Sequence, residues 1–419
     1  MKRVLITIIL IFFVLMLFNW LMPATESNRM AAEDPIVILV SIDGYRADYL
    51  DQYPSPNISA LAARGVRAEG MIAAHPTKTF PNHYTIVTGR YPSNHGIVAN
   101  VMYDPVFDET FTMSKRHEVE NPRWWEGEPL WVTAELQGVK SGTYFWPGSE
   151  APIKDVRPSF WKRYDGSVPG NRRVDEILSW LDLDPAERPR FITLYFSDVD
   201  AQGHRHGPAS GEVEEAIDRV DGYIGRLLDG ITSRGLNSAV NVIVVSDHGM
   251  AQTSPDKVIF IDEYIDVDDV KIIETTPALM INPVEGQTEN VYRALQNAHP
   301  ALDAHRVGAY PVDWHWEGHR RIPQLVALAD EGWSIVTNRA AFESGETMLS
   351  EGVHGYDRQL PSMHALFVAD GPAFANGKQV PPFENIHVYP LVAHILSLTP
   401  TEVDGRLDAV WHLLESTSE

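Results

Sequence analysis

The run Ile36-Val37-Ile38-Leu39-Val40-Ser41-Ile42, closed by Asp43-Gly44, sets the architecture of this chain. A continuous apolar, β-branched run of this length is typical of a strand buried on both faces of a sheet. The same design, an apolar run followed by acidic residues, recurs at 191–200, 242–249 and 365–371. Helical patterns lie between these runs, and the longest, 212–233, keeps apolar residues at three-to-four spacing. We therefore predict an α/β fold: a mostly parallel sheet with helices on both faces.

Two stretches interrupt this alternation. Residues 124–170 are rich in Trp, Pro, Gly and Tyr, which predicts long loops or a lid. Residues 272–336 carry short strand patterns and one helical pattern, which predicts a smaller lobe inserted into the main sheet. Sites in open α/β sheets form beyond the carboxyl ends of the strands. The acidic residues that follow the apolar runs are therefore the candidate functional residues.

Composition restricts the chemistry. The 419 residues, 44% of them hydrophobic, can bury a large core in one large or two intimate domains. The absence of cysteine excludes disulfides, thiolate zinc sites and cysteine nucleophiles, so a metal would need His, Asp, Glu or hydroxyl ligands. A net charge of −23 argues against nucleic-acid duplex binding, which depends on a basic surface.

The N-terminal residues carry a targeting pattern. Lys2 and Arg3 precede an apolar segment, residues 4–22, which is typical of an export signal or a membrane anchor. The segment approaches the ~20 residues of a membrane span, whereas the small residues of Thr25-Glu26-Ser27 favour cleavage. We predict a signal peptide or N-terminal membrane anchor over residues 1–27 and a catalytic domain over 28–419. The protein is then exported, periplasmic or extracellular, with membrane attachment through residues 4–22 left open.

A second stretch, His75-Pro76-Thr77-Lys78-Thr79-Phe80-Pro81-Asn82-His83, carries the candidate nucleophile, Thr79. Pro81 suits the first turn of a helix, and a helix start offers free backbone N–H groups to an anion. A threonine hydroxyl needs a base or a metal to act as an alkoxide. A threonine before a helix is more often only an N-cap, so the assignment depends on metal-ligand segments elsewhere in the chain.

The candidate metal ligands are Asp43, Thr79, Asp200, His204, Asp247, His248 and His354. Asp200 and His204 lie four residues apart on what we predict to be a glycine-containing loop, and His354 lies between glycines that let the ring turn inward. Each fragment alone is more often structural. Together they divide into two mixed sets, and two close dications are what phosphoryl transfer requires. Aspartate and imidazole without thiolate favour two zinc ions, with manganese or iron as alternatives.

At these residues the chain resembles the nucleotide pyrophosphatase/phosphodiesterase (type I phosphodiesterase) family of the alkaline phosphatase superfamily. The matching segments run from about Pro35 to the C-terminus: Ser41-Ile42-Asp43-Gly44, residues 76–83, Thr88-Gly89-Arg90-Tyr91-Pro92, His95-Gly96-Ile97, Phe145-Trp146-Pro147-Gly148-Ser149, residues 200–208, Ser246-Asp247-His248-Gly249-Met250, Ala329-Asp330-Glu331-Gly332-Trp333 and Gly352-Val353-His354-Gly355. One departure is Val199, where many relatives have proline; the ligand positions are intact.

The resemblance implies an alkaline-phosphatase-like fold and roles for particular residues. Thr79 would be the nucleophile. One zinc would be held by Asp43, Thr79, Asp247 and His248, and the other by Asp200, His204 and His354. Asn100 would donate to a phosphate oxygen, and Phe80 and Tyr164 would sandwich a nucleobase. From the residues alone, Asn100 is more readily a turn residue, and the two aromatics are as readily packed in a core.

The predicted function is hydrolysis of phosphodiester or pyrophosphate bonds of nucleotides and their derivatives by a two-metal enzyme, through a phosphothreonine intermediate. The predicted partner is a nucleotide or another small phosphodiester. Three alternatives stay open: a choline- or lipid-headgroup phosphodiesterase of the same family, a phosphomonoesterase, and a non-catalytic metal-binding envelope protein. A phosphomonoesterase would need an arginine that binds two phosphate oxygens, and the sequence places none clearly in that role.

Overall fold

A computed structural model describes residues 34–415 of the chain. The predicted signal or anchor segment, residues 1–27, lies outside the described residues. Within residues 34–415, no helix combines the length and the apolar character that crossing a membrane requires.

The strands are β1 (Ile36–Ile42), β2 (Val66–Ala68), β3 (Met71–Ile72), β4 (Val101–Asp104), β5 (Glu109–Thr112), β6 (Ser141–Tyr144), β7 (Phe160–Lys162), β8 (Phe191–Phe196), β9 (Val240–Val245), β10 (Ala251–Gln252), β11 (Val258–Phe260), β12 (Val270–Glu274), β13 (Ala278–Pro283), β14 (Leu302–Arg306), β15 (Leu325–Ala329), β16 (Ser334–Val336), β17 (Gly352–Val353), β18 (Phe367–Asp370), β19 (Lys378–Val380) and β20 (Phe383–Glu384).

The α-helices are α1 (Tyr49–Gln52), α2 (Pro56–Arg64), α3 (Thr79–Thr88), α4 (Pro92–His95), α5 (Arg116–Val119), α6 (Leu130–Leu136), α7 (Gly170–Leu181), α8 (Asp198–His206), α9 (Gly211–Ser233), α10 (Thr288–Gln296), α11 (Arg339–Glu343) and α12 (Val388–Ile395).

The main sheet has eight strands in the order β19-β2-β18-β9-β1-β8-β6-β7. The five strands from β9 to β7 are parallel to one another, whereas β18 runs antiparallel to both β9 and β2. The prediction of a mostly parallel sheet is therefore confirmed. Strand β1 lies inside the sheet, between β9 and β8, which explains why every one of its residues is buried.

Helices cover both faces of this sheet. Along β1, Val37 and Leu39 belong to one apolar cluster, and Ile38 and Val40 belong to another. The first cluster includes apolar residues of α3, α6 and α12, and the second includes those of α2, α7 and α9. Successive side chains of a strand point to opposite faces, so a continuous apolar run fits a strand covered on both sides.

The stretch 124–170, predicted as long loops or a lid, is in part regular structure. It supplies α6 and two strands of the main sheet, β6 and β7. Strand β6 reads Ser-Gly-Thr-Tyr, and its four residues are all buried although the run is weakly apolar. The prediction failed because burial in a parallel sheet, supplied by neighbours distant in sequence, overrides local propensity.

A second, four-stranded sheet has the order β12-β13-β15-β14 and is antiparallel. Its apolar residues form a separate core with Val291 and Leu295 of α10. We propose that this sheet and α10 form the inserted lobe predicted over residues 272–336; its first strand begins at Val270.

Candidate active site

The carboxyl ends of three adjacent strands bring three carboxylates together. Asp43 directly follows β1, Asp247 lies just beyond β9, and Asp200 lies in the first turn of α8, which follows β8. Because parallel strands end at the same edge of a sheet, these residues meet although the first and the last of them are more than 200 positions apart.

Asp200 and His204 lie on a helix, so the prediction that they share a loop is wrong. Helix α8 spans Asp198–His206, and the spacing of four residues puts both side chains on one helix face. His204 Nε2 lies 3.4 Å from Asp200 Oδ1. The close approach of Met250 explains the glycine at position 203 inside this helix, because a Cβ there would stand only 3.1 Å from Met250 Cε.

Thr79 is the first residue of helix α3, and Lys78 is the N-cap, without a side-chain capping bond. The Thr79 hydroxyl is therefore not used to cap the helix. Thr79 Oγ1 lies 3.2 Å from His248 Nε2. The structure thus places the predicted nucleophile beside a predicted metal ligand.

Two clusters of ligand-type side chains surround this hydroxyl. We call Asp43, Asp247 and His248 the nucleophile cluster, and Asp200, His204 and His354 the outer cluster. His248 Nε2 lies 2.9 Å from Asp247 Oδ2 and 3.5 Å from Asp43 Oδ1. In the outer cluster, His354 Nε2 lies 3.8 Å from Asp200 Oδ1. The rings of His248 and His354 stack at 3.5 Å between centroids and join the two clusters.

Each of the three histidines offers the same nitrogen to the site. Nδ1 of His248 lies 2.9 Å from Gly249 O, Nδ1 of His204 lies 2.8 Å from Gly352 O, and Nδ1 of His354 lies 2.8 Å from Thr77 O. A carbonyl oxygen only accepts, so each Nδ1 donates and each Nε2 keeps its lone pair. Such backbone bonds to the second nitrogen are the usual support of a metal-ligating imidazole.

The carboxylates fit divalent cations. Asp43 Oδ1, Asp200 Oδ1 and Asp247 Oδ2 are buried oxygen atoms without a hydrogen-bond donor among the described residues. Burial raises the pKa of Asp43 well above its ordinary value, and the carboxylates of Asp247 and Asp200 raise it further. Buried anionic oxygens that lack donors are strongly destabilising unless a counter-charge is present. Dications among these oxygens and the free imidazole nitrogens would supply that charge.

Donors for an anionic oxygen stand at the start of α3. Asn100 Oδ1 accepts from the backbone N–H of Phe80 at 2.9 Å, so the Asn100 amide nitrogen is the group left to donate. Pro81 has no N–H. Among residues 34–415, the backbone N–H of Thr79 has no hydrogen-bond partner. This N–H and the Asn100 amide can therefore donate to an anion at the start of α3.

A cavity of about 340 Å³ opens beside Thr79, Asp43 and Asp200. Its lining includes both predicted aromatics, Phe80 and Tyr164. Phe80 packs on Trp125 and Phe111, whereas Tyr164 contacts Phe145 and keeps 39% of its surface exposed. The two aromatics thus line one cavity with Thr79, the predicted nucleophile.

An ion pair also lines this cavity. The guanidinium of Arg116 pairs with Glu150 Oε2 and lies 5.9 Å from the centre of the Tyr164 ring. Glu150 is buried, and about a third of the Arg116 side chain is exposed. Polar groups in an otherwise apolar cavity fix the orientation of a ligand.

Sequence reasoning missed two residues of the site. Tyr195 donates its hydroxyl to Asp43 Oδ2 at 2.6 Å, because β8 pairs with β1 and sets Tyr195 opposite Ser41. His83 lies one helical turn after Thr79 and contacts Asp247. The strand register that places Tyr195 is not readable from the sequence, whereas the four-residue spacing of Thr79 and His83 was a usable signal.

The fold and these clusters define an α/β protein of the alkaline phosphatase type with a candidate centre for divalent cations. The chain belongs to the type I phosphodiesterase/nucleotide pyrophosphatase family, whose model matches residues 37–357. It is 36% identical to murine ectonucleotide pyrophosphatase/phosphodiesterase 5, solved as an inactive variant in complex with AMP, with a TM-score of 0.87 and coverage of 91% of this chain and 100% of that chain.

Curated relatives match over nearly the same range. Human ectonucleotide pyrophosphatase/phosphodiesterase family member 1 is 41% identical over 92% of this chain, and venom phosphodiesterase CdcPDE of Crotalus durissus collilineatus is 40% identical over 94%. The chain spans 42% and 48% of the lengths of these two relatives. It therefore corresponds to less than half of each of them.

Proposed function

We propose that this protein is a two-metal phosphodiesterase and nucleotide pyrophosphatase that hydrolyses phosphodiester or pyrophosphate bonds of nucleotides and their derivatives. The observation that carries the proposal is the position of Thr79 Oγ1, 3.2 Å from His248 Nε2, beside three buried carboxylate oxygens that lack donors. The membership of the chain in the type I phosphodiesterase/nucleotide pyrophosphatase family supports it.

The proposed metals are two zinc ions, with manganese or iron as alternatives. Asp43, Thr79, Asp247 and His248 would hold one, and Asp200, His204 and His354 would hold the other. The ligand atoms of Asp200, His204 and His354 lie within 4.8 Å of one another, which supports the second set. In the first set, His248 Nε2 lies 2.9 Å from Asp247 Oδ2 and 3.5 Å from Asp43 Oδ1. When bound, the two ions would stabilise the alkoxide of Thr79, activate a water molecule and neutralise the nonbridging oxygens of the substrate.

In the proposed reaction, Thr79 Oγ attacks phosphorus and the bond between phosphorus and the leaving oxygen breaks. The Asn100 amide and the backbone N–H of Thr79 donate to a nonbridging oxygen, where such donors act most strongly on charge that develops in the transition state. The product is phosphothreonine at position 79. Water then cleaves this ester and restores the hydroxyl, and two in-line displacements give net retention at phosphorus.

The proposed substrate carries a nucleobase between Phe80 and Tyr164. Aromatic faces stack on any base, which suits a nucleotide without choosing the base. The AMP complex of the murine relative supports a nucleotide ligand for the cavity of about 340 Å³. We also propose that the protein is exported, because the relatives include enzymes named as ectoenzymes or as venom enzymes.

The test of this function is the variant Thr79→Ala, compared with Thr79→Ser. With a nitrophenyl ester of a nucleotide as substrate, we expect Thr79→Ala to lower kcat by about 10⁴-fold or more, as loss of a nucleophile does in other hydrolases. Thr79→Ser should retain far more activity because it keeps a hydroxyl. Metal content, measured by mass spectrometry, should stay near the wild-type value. Near-normal turnover by Thr79→Ala would falsify the assignment.

A second assay separates the phosphomonoesterase alternative. The wild-type protein, loaded with zinc, is given nitrophenyl thymidine monophosphate and nitrophenyl phosphate at equal concentrations. We expect kcat/KM for the diester to exceed that for the monoester by orders of magnitude. Faster cleavage of the monoester would contradict the proposed activity.

A further inference from the structure

His83 is a fully buried histidine of helix α3 that contacts three parts of the site. Its Nδ1 lies 2.9 Å from the backbone oxygen of Thr79 and 3.2 Å from Asp247 Oδ2. Its Nε2 lies 2.8 Å from Ser41 Oγ. The ring is held edge-on between Trp146 and Tyr195, with centroid distances of 5.1 and 5.2 Å.

The contacts of His83 fix its tautomer. Thr79 O and an ionised Asp247 can only accept, so Nδ1 carries a proton and donates to the Thr79 carbonyl. In the neutral ring, Nε2 then accepts, and the Ser41 hydroxyl donates to it. Both ring nitrogens are therefore engaged with protein atoms.

This pattern separates His83 from the three histidines of the clusters. His204, His248 and His354 each tie Nδ1 to a backbone oxygen, and Nε2 of each faces a carboxylate of the clusters. Nε2 of His248 also contacts the hydroxyl of Thr79, the proposed nucleophile. His83 keeps no lone pair free, although its ring lies within ligand distance of Asp43 and Asp247. It is consequently a poor candidate for a metal ligand.

The order Ser41, His83, Asp247 also resembles a hydrolytic triad, in which a serine hydroxyl bonds one imidazole nitrogen and a carboxylate faces the other. All three side chains are fully buried, so a substrate cannot reach the serine. His83 therefore acts on the reaction through other residues.

Those residues belong to different elements of the fold. Ser41 lies on β1, two residues before Asp43; Asp247 follows β9; and Thr79 begins α3. The His83 ring is the spacer between these three elements. A change in its position would move the peptide that carries the nucleophile relative to two ligands of the nucleophile cluster.

We propose that His83, with its ring held in place by Ser41, is a positioning residue that fixes the Thr79 hydroxyl against Asp43 and Asp247. The proposal rests on the proposed function of Thr79 as the nucleophile. Residues that contact metal ligands or nucleophiles, but neither the metal nor the substrate, typically contribute about 10- to 100-fold in activity or metal affinity.

The chain offers a matched control on the same helix. Thr85 Oγ1 lies 2.9 Å from His95 Nε2, and both side chains are fully buried. This pair is again a hydroxyl and an imidazole, but it contacts no residue of either cluster. Thr85→Val should therefore reproduce the loss of a buried hydrogen bond without the loss of positioning.

The experiment compares Ser41→Ala, His83→Gln, His83→Asn and Thr85→Val as zinc-loaded full chains. We expect Ser41→Ala and His83→Gln to lower kcat for the nitrophenyl nucleotide diester by about tenfold or more, with KM within about twofold of wild type. His83→Asn should keep more activity than His83→Gln, because the Asn amide can donate from the position of Nδ1. Thr85→Val should keep wild-type kcat at a similar loss of thermal stability.

A readout without turnover accompanies the kinetics. Zn²⁺ affinity is measured by competition with a chromophoric chelator, and we expect a dissociation constant about tenfold higher in Ser41→Ala and His83→Gln, but not in Thr85→Val. If His83→Gln does not fold, Ser41→Ala decides. Unchanged kcat and zinc affinity in Ser41→Ala, or an equal loss in Thr85→Val, would overturn the positioning role.

The two proposals fail separately. If the wild-type protein cleaves no diester, the proposed function is wrong, and the zinc competition alone then decides whether His83 positions the nucleophile cluster. If the wild type is active and Ser41→Ala matches it in both measurements, only the role of His83 is wrong.

Discussion

The two ligand clusters differ in their access to solvent. In the nucleophile cluster, the side chains of Asp43, Asp247 and His248 are 2%, 0% and 0% exposed. In the outer cluster, the side chains of Asp200 and His204 are 18% and 34% exposed, whereas His354 is 5% exposed. One half of the site is enclosed and the other half opens to solvent.

The hydrogen bonds follow the same division. Asp43 accepts from Tyr195 at 2.6 Å, and Asp247 Oδ1 accepts from the backbone of Gly44 at 3.2 Å. Their other oxygens, Asp43 Oδ1 and Asp247 Oδ2, lack a donor among the described residues, as does Asp200 Oδ1 in the outer cluster. The enclosed half is distinguished by the two oxygens that Tyr195 and Gly44 hold. The enclosed half therefore has its carboxylates oriented in advance beside Thr79. We infer that the open half is where a water molecule and the leaving group exchange, which is the division of labour that two-metal phosphoryl transfer needs.

The largest effect is expected when the enclosed and the open cluster are compared through the variants Asp247→Asn and His204→Gln. Asp247→Asn removes a charge from a site that water cannot reach, so we expect kcat/KM to fall by about 10³-fold, equivalent to about 4 kcal/mol of barrier. In His204→Gln, water can replace the imidazole in an exposed position, so the loss should be smaller and partly reversed by added Zn²⁺. Steady-state kinetics with the nitrophenyl nucleotide diester, with and without added Zn²⁺, measure both.

Ser246→Ala is the control for local packing. The Ser246 hydroxyl bonds Asp247 Oδ1 at 3.3 Å and the backbone oxygen of His248 at 2.9 Å, and Ser246 does not line the cavity. It should lose far less activity than Asp247→Asn. Equal losses in Asp247→Asn and His204→Gln, with equal recovery in Zn²⁺, would remove the functional distinction between the clusters.

Metal removal gives a second, smaller effect. A chelator should extract the ion of the exposed outer cluster first and that of the enclosed nucleophile cluster later, because escape from a buried site requires local opening. We expect two phases of zinc release that differ at least severalfold in rate, with activity lost in the first phase. Release is followed with a chromophoric zinc indicator and activity is sampled in parallel; a single phase would contradict the difference in access.

The fold was predictable from the sequence where the burial of a segment agrees with its apolar pattern. The apolar runs that became β1, β8 and β9 were readable, and so were the acidic residues at their ends, because a strand covered on both faces must be apolar throughout. Strand β6, with its buried Ser-Gly-Thr-Tyr, was not readable since only its neighbours make it a strand. Helix α8 was misread as a loop because its glycine is explained only by the close approach of Met250.

The candidate site was predictable to the same extent. Motif chemistry and a family resemblance pointed to seven candidate ligands, and the structure brings their side chains to one edge of the sheet. Tyr195 and His83 were missed because their roles depend on the pairing of β1 with β8 and on a contact to Ser41. Contacts of this kind, made to the residues of a site by their neighbours, depend on tertiary packing, which short motifs do not encode.

The smallest predicted effect concerns substrate binding beside the open half of the site. We expect Tyr164→Leu to raise KM for the nitrophenyl nucleotide diester by about tenfold with kcat nearly unchanged, because stacking on one base contributes about 1–3 kcal/mol. Bis(nitrophenyl) phosphate lacks a base, so its KM should change little. Trp161→Leu is the matched control: Trp161 is 37% exposed, close to the 39% of Tyr164, but does not line the cavity. If both variants raise KM alike, or if KM for the two substrates rises equally in Tyr164→Leu, the aromatic ring does not hold a base and the cavity selects its ligand by other contacts.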